Sequence, residues 1–591
     1  MRIEELSQHE DGSEIIADIV VIGGGPAGLT LAREFFGHNA RIVIIESGGL
    51  EEDARSASLN TVEISEDLWT SDQTMRRING HGPLAPRWSH AEQGYGVRCR
   101  GLGGSSQAWA GKCASFDAID FRHRSWIPFS GWPVSEADLS SCMERAAERL
   151  NLGPNINDDR LWSVIGASSS EQTRSDLPLR NFFWQFARSR LDQFDAMRFG
   201  PDFAREAAPN IRVLINATAS RILTNPEATA FQGVTAVGPD GRSVRVLGNI
   251  GVLAASAIEN PRLLLLSNAI VHAGLGNAHD NVGRYLLDHP ATQIARFDRG
   301  AADAVVKRFG FQGVPHRGRM HMYMHGLALA ASTQERENLT NGALFFLEEH
   351  APDDPVMALK RLAKGDRSRL LADVGTVLRS PGSIAKAYAI KAIQSGKISE
   401  TVQKALVDAV IKVNPDFAVR ETLHRGIQHR LLGVRVEGIV EQIPDRTNRI
   451  ALSDSTDALG MRKATVTWRV DQLTKRSLGR LGSLLMDECA RINLPRPILA
   501  DWIENGNSAE APVIDMAHTM GTTRMAADPR HGVVDKNCQV HGVRGLFVAG
   551  GSIFPTGGHS NPTLMIAALS IRLADHIKAL HRAAAEIVDS K

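Results

Sequence analysis

Thirty residues, Ala17 to Glu46, constrain this chain more than any others: ADIVVIGGGPAGLTLAREFFGHNARIVIIE. Ile19-Val20-Val21-Ile22 is apolar at every position, as in a strand buried on both faces. Gly23, Gly25 and Gly28 follow as G-x-G-x-x-G where that strand turns into a helix. A second apolar run, Ile42 to Ile45, ends on Glu46, about 20 residues past the glycines, where an acid reaching a ribose is expected. One glycine makes the tight turn, one lets the backbone approach a pyrophosphate, and one lets helix and strand pack closely. The helix N-terminus then offers free N–H groups and a positive dipole end to the phosphates. Strand, turn, helix, strand and acid in register predict a dinucleotide site. The motif alone does not separate FAD from NAD.

The chain has 591 residues, enough for two or three domains or one elaborated two-domain enzyme. Hydrophobic content of 43% and charged content of 23% are those of a globular protein, and a formal net charge of +1 argues against a general nucleic-acid binder. Cys99, Cys113, Cys142, Cys489 and Cys538 are scattered, odd in number and without C-x-x-C spacing, so neither a disulfide framework nor a zinc site is indicated. The first 17 residues are polar and acid-rich, and no run approaches the roughly 18 apolar residues of a membrane span. The expectation is a cytoplasmic protein without a transmembrane segment; export with a partner subunit and oligomer formation are left open.

Residues 51 to 96 are polar and Gly/Pro-punctuated and read as long excursions from the first unit. Arg98 to Gly111 follows, RCRGLGGSSQAWAG. Its glycines and serines suit a backbone that passes very close to something flat or charged. Trp109 and Trp126 frame it with large rings, which favours ligand contact over a merely flexible loop. Gly131 to Glu136 reads as a turn and helix cap ahead of a helix from Leu139 to Leu150. Arg212 to Asn216 and Ser220 to Leu223 read as strands. Gln232 to Val237 and Ser243 to Leu247 form a hairpin about Pro239-Asp240-Gly241. Ile250 to Ser256 is a buried strand leading to a helix from Pro261 to Leu266.

Residues 291 to 510 read as a separate region, with strands at Arg319 to Ala331, Ala343 to Glu349, Gly433 to Gln442 and Lys463 to Val470. Helical periodicity runs from 355 to 412. Lys360 to Arg430 holds fourteen Lys/Arg against six Asp/Glu. A solvated helical face is the plain reading of that excess, and a lid over the substrate entrance is the functional one.

Near the end, His518-Thr519-Met520-Gly521-Thr522-Thr523-Arg524-Met525 precedes a strand at Gly545 to Gly551. Gly557-Gly558-His559-Ser560-Asn561-Pro562-Thr563 then leads into an apolar helix from Leu564 to Ile577. Asn561 before Pro562 predicts a helix start with proline at the first helical position and a capping residue before it. Histidine supplies a base near pKa 7. Asn561 can hydrogen-bond an oxygen without titrating. His559 reads as structural or supporting, and Arg524 as an anchor of its loop.

These motifs resemble the glucose–methanol–choline (GMC) flavin oxidoreductases. The resemblance rests on the N-terminal fingerprint, the Arg100 to Gly111 loop, Ile258-Glu259-Asn260-Pro261-Arg262, Asn281-Val282-Gly283-Arg284 and the segment from His518 onward. H-x-x-G-T-x-R-M together with N-P-T-L is similar to the bacterial, pyranose-oxidase-like branch. The resemblance implies an α/β fold with a Rossmann-like FAD-binding domain built from discontinuous segments (17–50, 95–125, 205–290 and 511–580). A substrate-binding domain (126–204 and 291–510) would carry an antiparallel sheet and outer helices.

It further implies FAD as cofactor, with Gly23, Gly25, Gly28, Glu46, Gly103, Gly104, Ser105, Ser106, Ala217, Gly551, Pro562 and Thr563 around it. His518 becomes the catalytic base and Asn561 its partner. Relatives with covalent flavin carry a His just before a Trp in the loop. Here Ala108 precedes Trp109, so the flavin is expected to be non-covalent. Ser256 also stands where a glycine is frequent. The implied reaction is oxidation of a CH–OH group, with a sugar, glycoside or other polyol favoured and O₂, a quinone or a protein carrier as electron acceptor. A lyase of the hydroxynitrile type with structural FAD, and a non-catalytic FAD-binding protein, are the alternatives.

Overall fold

The computed structural model describes residues 1–65, 95–166, 177–190, 195–350, 355–363, 369–379, 399–416 and 431–589. Its centre is a six-stranded parallel sheet in the order Arg2–Glu5, Ile211–Ile215, Ile42–Ile45, Ile19–Ile22, Ile250–Leu253, Leu546–Val548. Ile19–Ile22 and Ile42–Ile45 are buried at every position, as their unbroken apolar sequence requires of inner strands. Val21 pairs with Ile44 on one side and Val252 on the other, so the strand before the glycine turn sits in the middle of the sheet. The edge strand Arg2–Glu5 comes from the stretch whose polarity had hidden it, because only half of an edge strand needs to be apolar.

Three helices pack together beside this sheet. Pro26–Arg33 follows the glycine turn, Thr563–Asp589 extends well past the expected Ile577, and Glu136–Arg149 lies against the C-terminal helix. Ser135 caps Glu136–Arg149 by accepting from the Asp138 N–H, with Asp138 returning a bond to the Ser135 N–H. Its buried stripe of Leu139, Cys142, Met143, Ala146 and Ala147 faces the Thr563–Asp589 helix, and Arg145 bonds Asp575 at 2.5 Å. Further along the chain, the strand Leu179–Phe186 joins the second sheet.

That second sheet has eight strands and is antiparallel. Its order is Ile498–Leu499, Ala291–Phe297, Leu431–Val440, Gly342–His350, Arg319–Leu329, Leu179–Phe186 and Lys112–Cys113, with Phe311–His316 paired to Arg319–Leu329. The helices Gln472–Arg491 and Arg299–Phe309 cover one face and bury Leu478, Leu481, Leu485, Val305 and Phe309 with it. The hairpin Phe231–Val237 and Ser243–Leu247 forms as expected.

The helix after Ile250–Leu253 starts at Ser256, five residues ahead of Pro261. Ser256 sits at φ +86° and its Oγ accepts from the N–H groups of Ile258 and Glu259, which closes the first turn before the proline is reached. Within the basic stretch, 364–368, 380–398 and 417–430 lie outside the described residues. Its helix Glu400–Val413 is seated on the antiparallel sheet through Val407 and Ile411 against Met322, with Arg319 bonding Asp408. All five cysteines are free, and among the described residues no helix is long and apolar enough to cross a membrane.

Candidate active site

A cavity of about 1010 Å³ lies between the two sheets. Of the residues expected around a cofactor, Gly23, Gly25, Glu46, Gly104, Ser105, Ser106, Ala217, Gly551, Pro562 and Thr563 line it, together with His518 and Asn561. Gly28 and Gly103 do not. Gly28 holds the helix against the strand, since a Cβ there would stand 2.1 Å from the Gly23 carbonyl oxygen. Gly103 lies behind the cavity wall, its N–H donating to the Gly24 carbonyl at 2.7 Å.

Glu46 is fully buried at the end of its strand. Its two oxygens accept from Gly24 N–H at 2.8 Å and Gly48 N–H at 2.9 Å. Burial pushes its pKa up, against the pull of those N–H groups and of Arg100. Gly101 N–H is a third donor to this carboxylate, which still keeps acceptor capacity for a diol hydroxyl. The Arg98 to Gly111 loop is fastened onto the fingerprint. Arg100 donates to Ser47 Oγ, Asn60 Oδ1 and the Leu59 carbonyl, and Gly104, at φ +53°, lies so close to Gly25 that a Cβ would come within 2.9 Å of its Cα. Trp109 lines the cavity and donates to the Met197 carbonyl; Trp126 donates to the Leu339 carbonyl and is not part of the wall.

Around the cavity, Glu259 collects Arg98, Arg100 and Arg262. Burial raises its pKa, but the three guanidinium groups, Arg100 first, overcome that and hold it at about 2.

At the other end stands a chain of hydrogen bonds. His289 Nε2 faces the Gly557 carbonyl at 3.2 Å, His289 Nδ1 faces His518 Nδ1 at 2.9 Å, and His518 Nε2 faces Asn561 Nδ2 at 3.2 Å. A carbonyl only accepts, so the His289 proton is on Nε2 and its Nδ1 is an acceptor. The His518 proton is then on Nδ1, which leaves the Nε2 lone pair toward Asn561. Burial lowers the His289 pKa to about 4, so it stays neutral in this role. Asp288 supports the turn by accepting from the N–H groups of His289, Met516 and His518, and its own pKa is pushed up by burial and by Asp515.

The helix that carries Asn561 begins one residue later than expected. Thr563 is its first residue and the Pro562 carbonyl accepts from Ile566 N–H, so the Asn561 side chain turns to His518 instead of capping. Among the described residues Asn561 Oδ1 is buried without a hydrogen-bond partner. His559 is turned away: it is fully buried against Phe182 and Trp184, its pKa lowered by burial to about 3. Arg524 anchors its loop by donating to the Phe129 carbonyl at 2.6 Å and stacking over Tyr285.

His289 escaped the sequence reading. Its signal was Asp288-His289-Pro290, four residues after Asn281-Val282-Gly283-Arg284, a histidine held between an acid and a strand-starting proline.

Sequence models described as GMC oxidoreductase match residues 200–291 and 444–570. The fructose dehydrogenase large subunit of Gluconobacter japonicus is 28% identical over 356 residues, 59% of this chain and 52% of that one, so this match spans about half of the relative's length. The 2-methyl-1,2-propanediol dehydrogenase of Mycolicibacterium austroafricanum is 22% identical over 97% of both chains. The 6'''-hydroxyparomomycin C oxidase of Streptomyces lividus is 33% identical over 27% of this chain and 28% of its own. A solved structure of Aspergillus oryzae RIB40 formate oxidase superposes with a TM-score of 0.51 at 17% identity, covering 97% of this chain and 100% of that one. With its parallel sheet, its fingerprint and both matched segments, the chain carries the N- and C-terminal domains of the GMC oxidoreductase family.

Proposed function

We propose that this protein binds FAD non-covalently and oxidises a CH–OH group of a sugar, glycoside or other polyol. The observation that carries the reading is the His289–His518–Asn561 chain, which presents one unprotonated nitrogen and one amide at the cavity wall. The residues present fit the cofactor: Glu46 has acceptor capacity at the fingerprint end, Gly25 and Gly104 leave the backbone bare, and Asn561 Oδ1 lacks a partner. When bound, FAD supplies the acceptor for the hydride of the CH–OH carbon.

The substrate hydroxyl replaces Asn561 Nδ2 at the His518 Nε2 lone pair and gives its proton there, while Asn561 Nδ2 turns its N–H to the same oxygen and stabilises its developing negative charge. His289 keeps the His518 proton on Nδ1 throughout. The fully buried turn around Asp288 and His289 holds this geometry and excludes water behind it. The relatives named above include a sugar dehydrogenase, a diol dehydrogenase and an aminoglycoside oxidase, which supports a polyol as substrate. The division of labour follows the sheets, the parallel one holding FAD and the antiparallel one facing the substrate.

An anaerobic screen of sugars, glycosides and diols for bleaching of the flavin tests this. Bleaching by a member of the panel, followed by recovery with oxygen, a quinone or an artificial acceptor, supports it and identifies the acceptor class. A flavin that no alcohol bleaches overturns it in favour of a lyase with structural FAD or a binding protein.

A further inference from the structure

Opposite the parallel sheet, the cavity holds a cation that the proposed oxidation does not use. Lys112 lies on the short strand Lys112–Cys113 and lines the cavity with Phe186, Phe311, Met324 and Phe345. Its Nζ stands 4.0 Å from the Phe345 ring centre and 4.2 Å from that of Trp184. Among the described residues no carboxylate pairs with it and no acceptor bonds it. Burial alone, with no neighbouring charge, lowers its pKa to about 7. The faces of two aromatic rings attract an ammonium, but they restore only part of the hydration it has lost. Trp184 also packs edge-on to His559, at 6.3 Å between ring centres, and Lys112 is among the cations that hold His559 neutral. Lys112 lines the same cavity as His518 and Asn561.

We propose that Lys112 is a substrate-recognition residue that binds an anionic oxygen group, a carboxylate first of all, on the molecule oxidised at His518 and Asn561. The substrate class narrows accordingly to hydroxy acids and acidic sugars, the anion at Lys112 and the reacting hydroxyl at His518. The apolar wall of Phe186, Phe311 and Met324 excludes water around the pair, so the ion pair formed there is strong and selective. The assignment rests on the oxidation reading for the second end of the substrate, and its test does not.

The test is binding to the FAD-loaded protein, followed by flavin absorbance and by calorimetry, with benzoate and its neutral match benzamide as probes. The wild type is expected to bind benzoate at least tenfold tighter than benzamide. K112M should weaken benzoate at least tenfold and leave benzamide within twofold, while K112R retains the preference. H518A should keep it too, so that failure of the oxidation chemistry leaves this result standing. Equal affinity for the two probes in the wild type overturns the proposal, and needs no variant to fold. So does benzoate binding that K112M leaves unchanged at normal FAD content.

Discussion

His289 Nδ1 stands 2.9 Å from His518 Nδ1, and this contact decides which nitrogen of His518 faces the cavity. A neutral imidazole carries one proton, and His289 spends its own on the Gly557 carbonyl. His289, which is not among the residues lining the cavity, therefore sets the tautomer of the histidine proposed as base.

Replacing His518 by Ala is expected to slow flavin reduction by about 10² to 10⁴, the usual scale for loss of a general base. His289→Ala should slow it by about tenfold or more, because either tautomer of His518 then becomes accessible, with FAD content unchanged in both. His559→Phe fits between Phe182 and Trp184 and should leave the rate within a few-fold. Stopped-flow reduction of the three variants ranks them; a larger loss at His559 than at His518 would reverse the assignment.

Acid precipitation of the holoprotein should release its yellow colour into the supernatant, since Ala108 offers no nucleophile to the flavin. Gly104→Ala should lower FAD occupancy, as its Cβ would meet Gly25 Cα at 2.9 Å in a backbone conformation, φ +53°, that alanine rarely adopts. The ratio of flavin to protein absorbance measures both effects. Colour that stays in the pellet would contradict the first expectation.

Glu259→Gln leaves Arg98, Arg100 and Arg262 with Asp457 as the acid remaining to Arg262, and so creates uncompensated buried charge. A loss of about 3 to 5 kcal/mol is expected, read as a lower urea midpoint at unchanged slope. The folded pKa of Glu259, about 2, lies below its ordinary value. Its stabilisation is therefore complete above about pH 4.5 and disappears as pH falls toward 2.

Acidification from pH 7 should destabilise the fold earlier than carboxylate titration accounts for. Burial lowers His289 to about 4 and His325 and His559 to about 3, each from 6.5. Below pH 6.5 the unfolded chain takes up protons at these sites while the folded one does not, so stability falls with pH at up to about 1.4 kcal/mol per unit for each histidine. Melting temperatures between pH 7 and 4 check this, and His559→Phe should flatten the slope. An identical slope in the variant would count against a neutral buried His559.

Local pattern alone determined the strand–turn–helix around Gly23, Gly25 and Gly28, the inner strands Ile19–Ile22 and Ile42–Ile45, and the pairing of Phe231–Val237 with Ser243–Leu247. These depend on unbroken apolar runs and turn glycines, which are properties of neighbouring residues. His518 and Asn561 were legible as motifs, but they stand 43 positions apart and meet only because the chain between them folds back. The edge strand Arg2–Glu5 was not legible, because its partner Ile211–Ile215 is more than 200 residues away and supplies the hydrogen bonds that polar side chains cannot announce. Nor was His289, whose role exists only where the strand start at Ala291 meets the His518 turn. Lys112 reads as an ordinary polar residue beside a glycine. Tertiary structure places its amine in the cavity, where Trp184 and Phe345 reach it from two other strands of the antiparallel sheet.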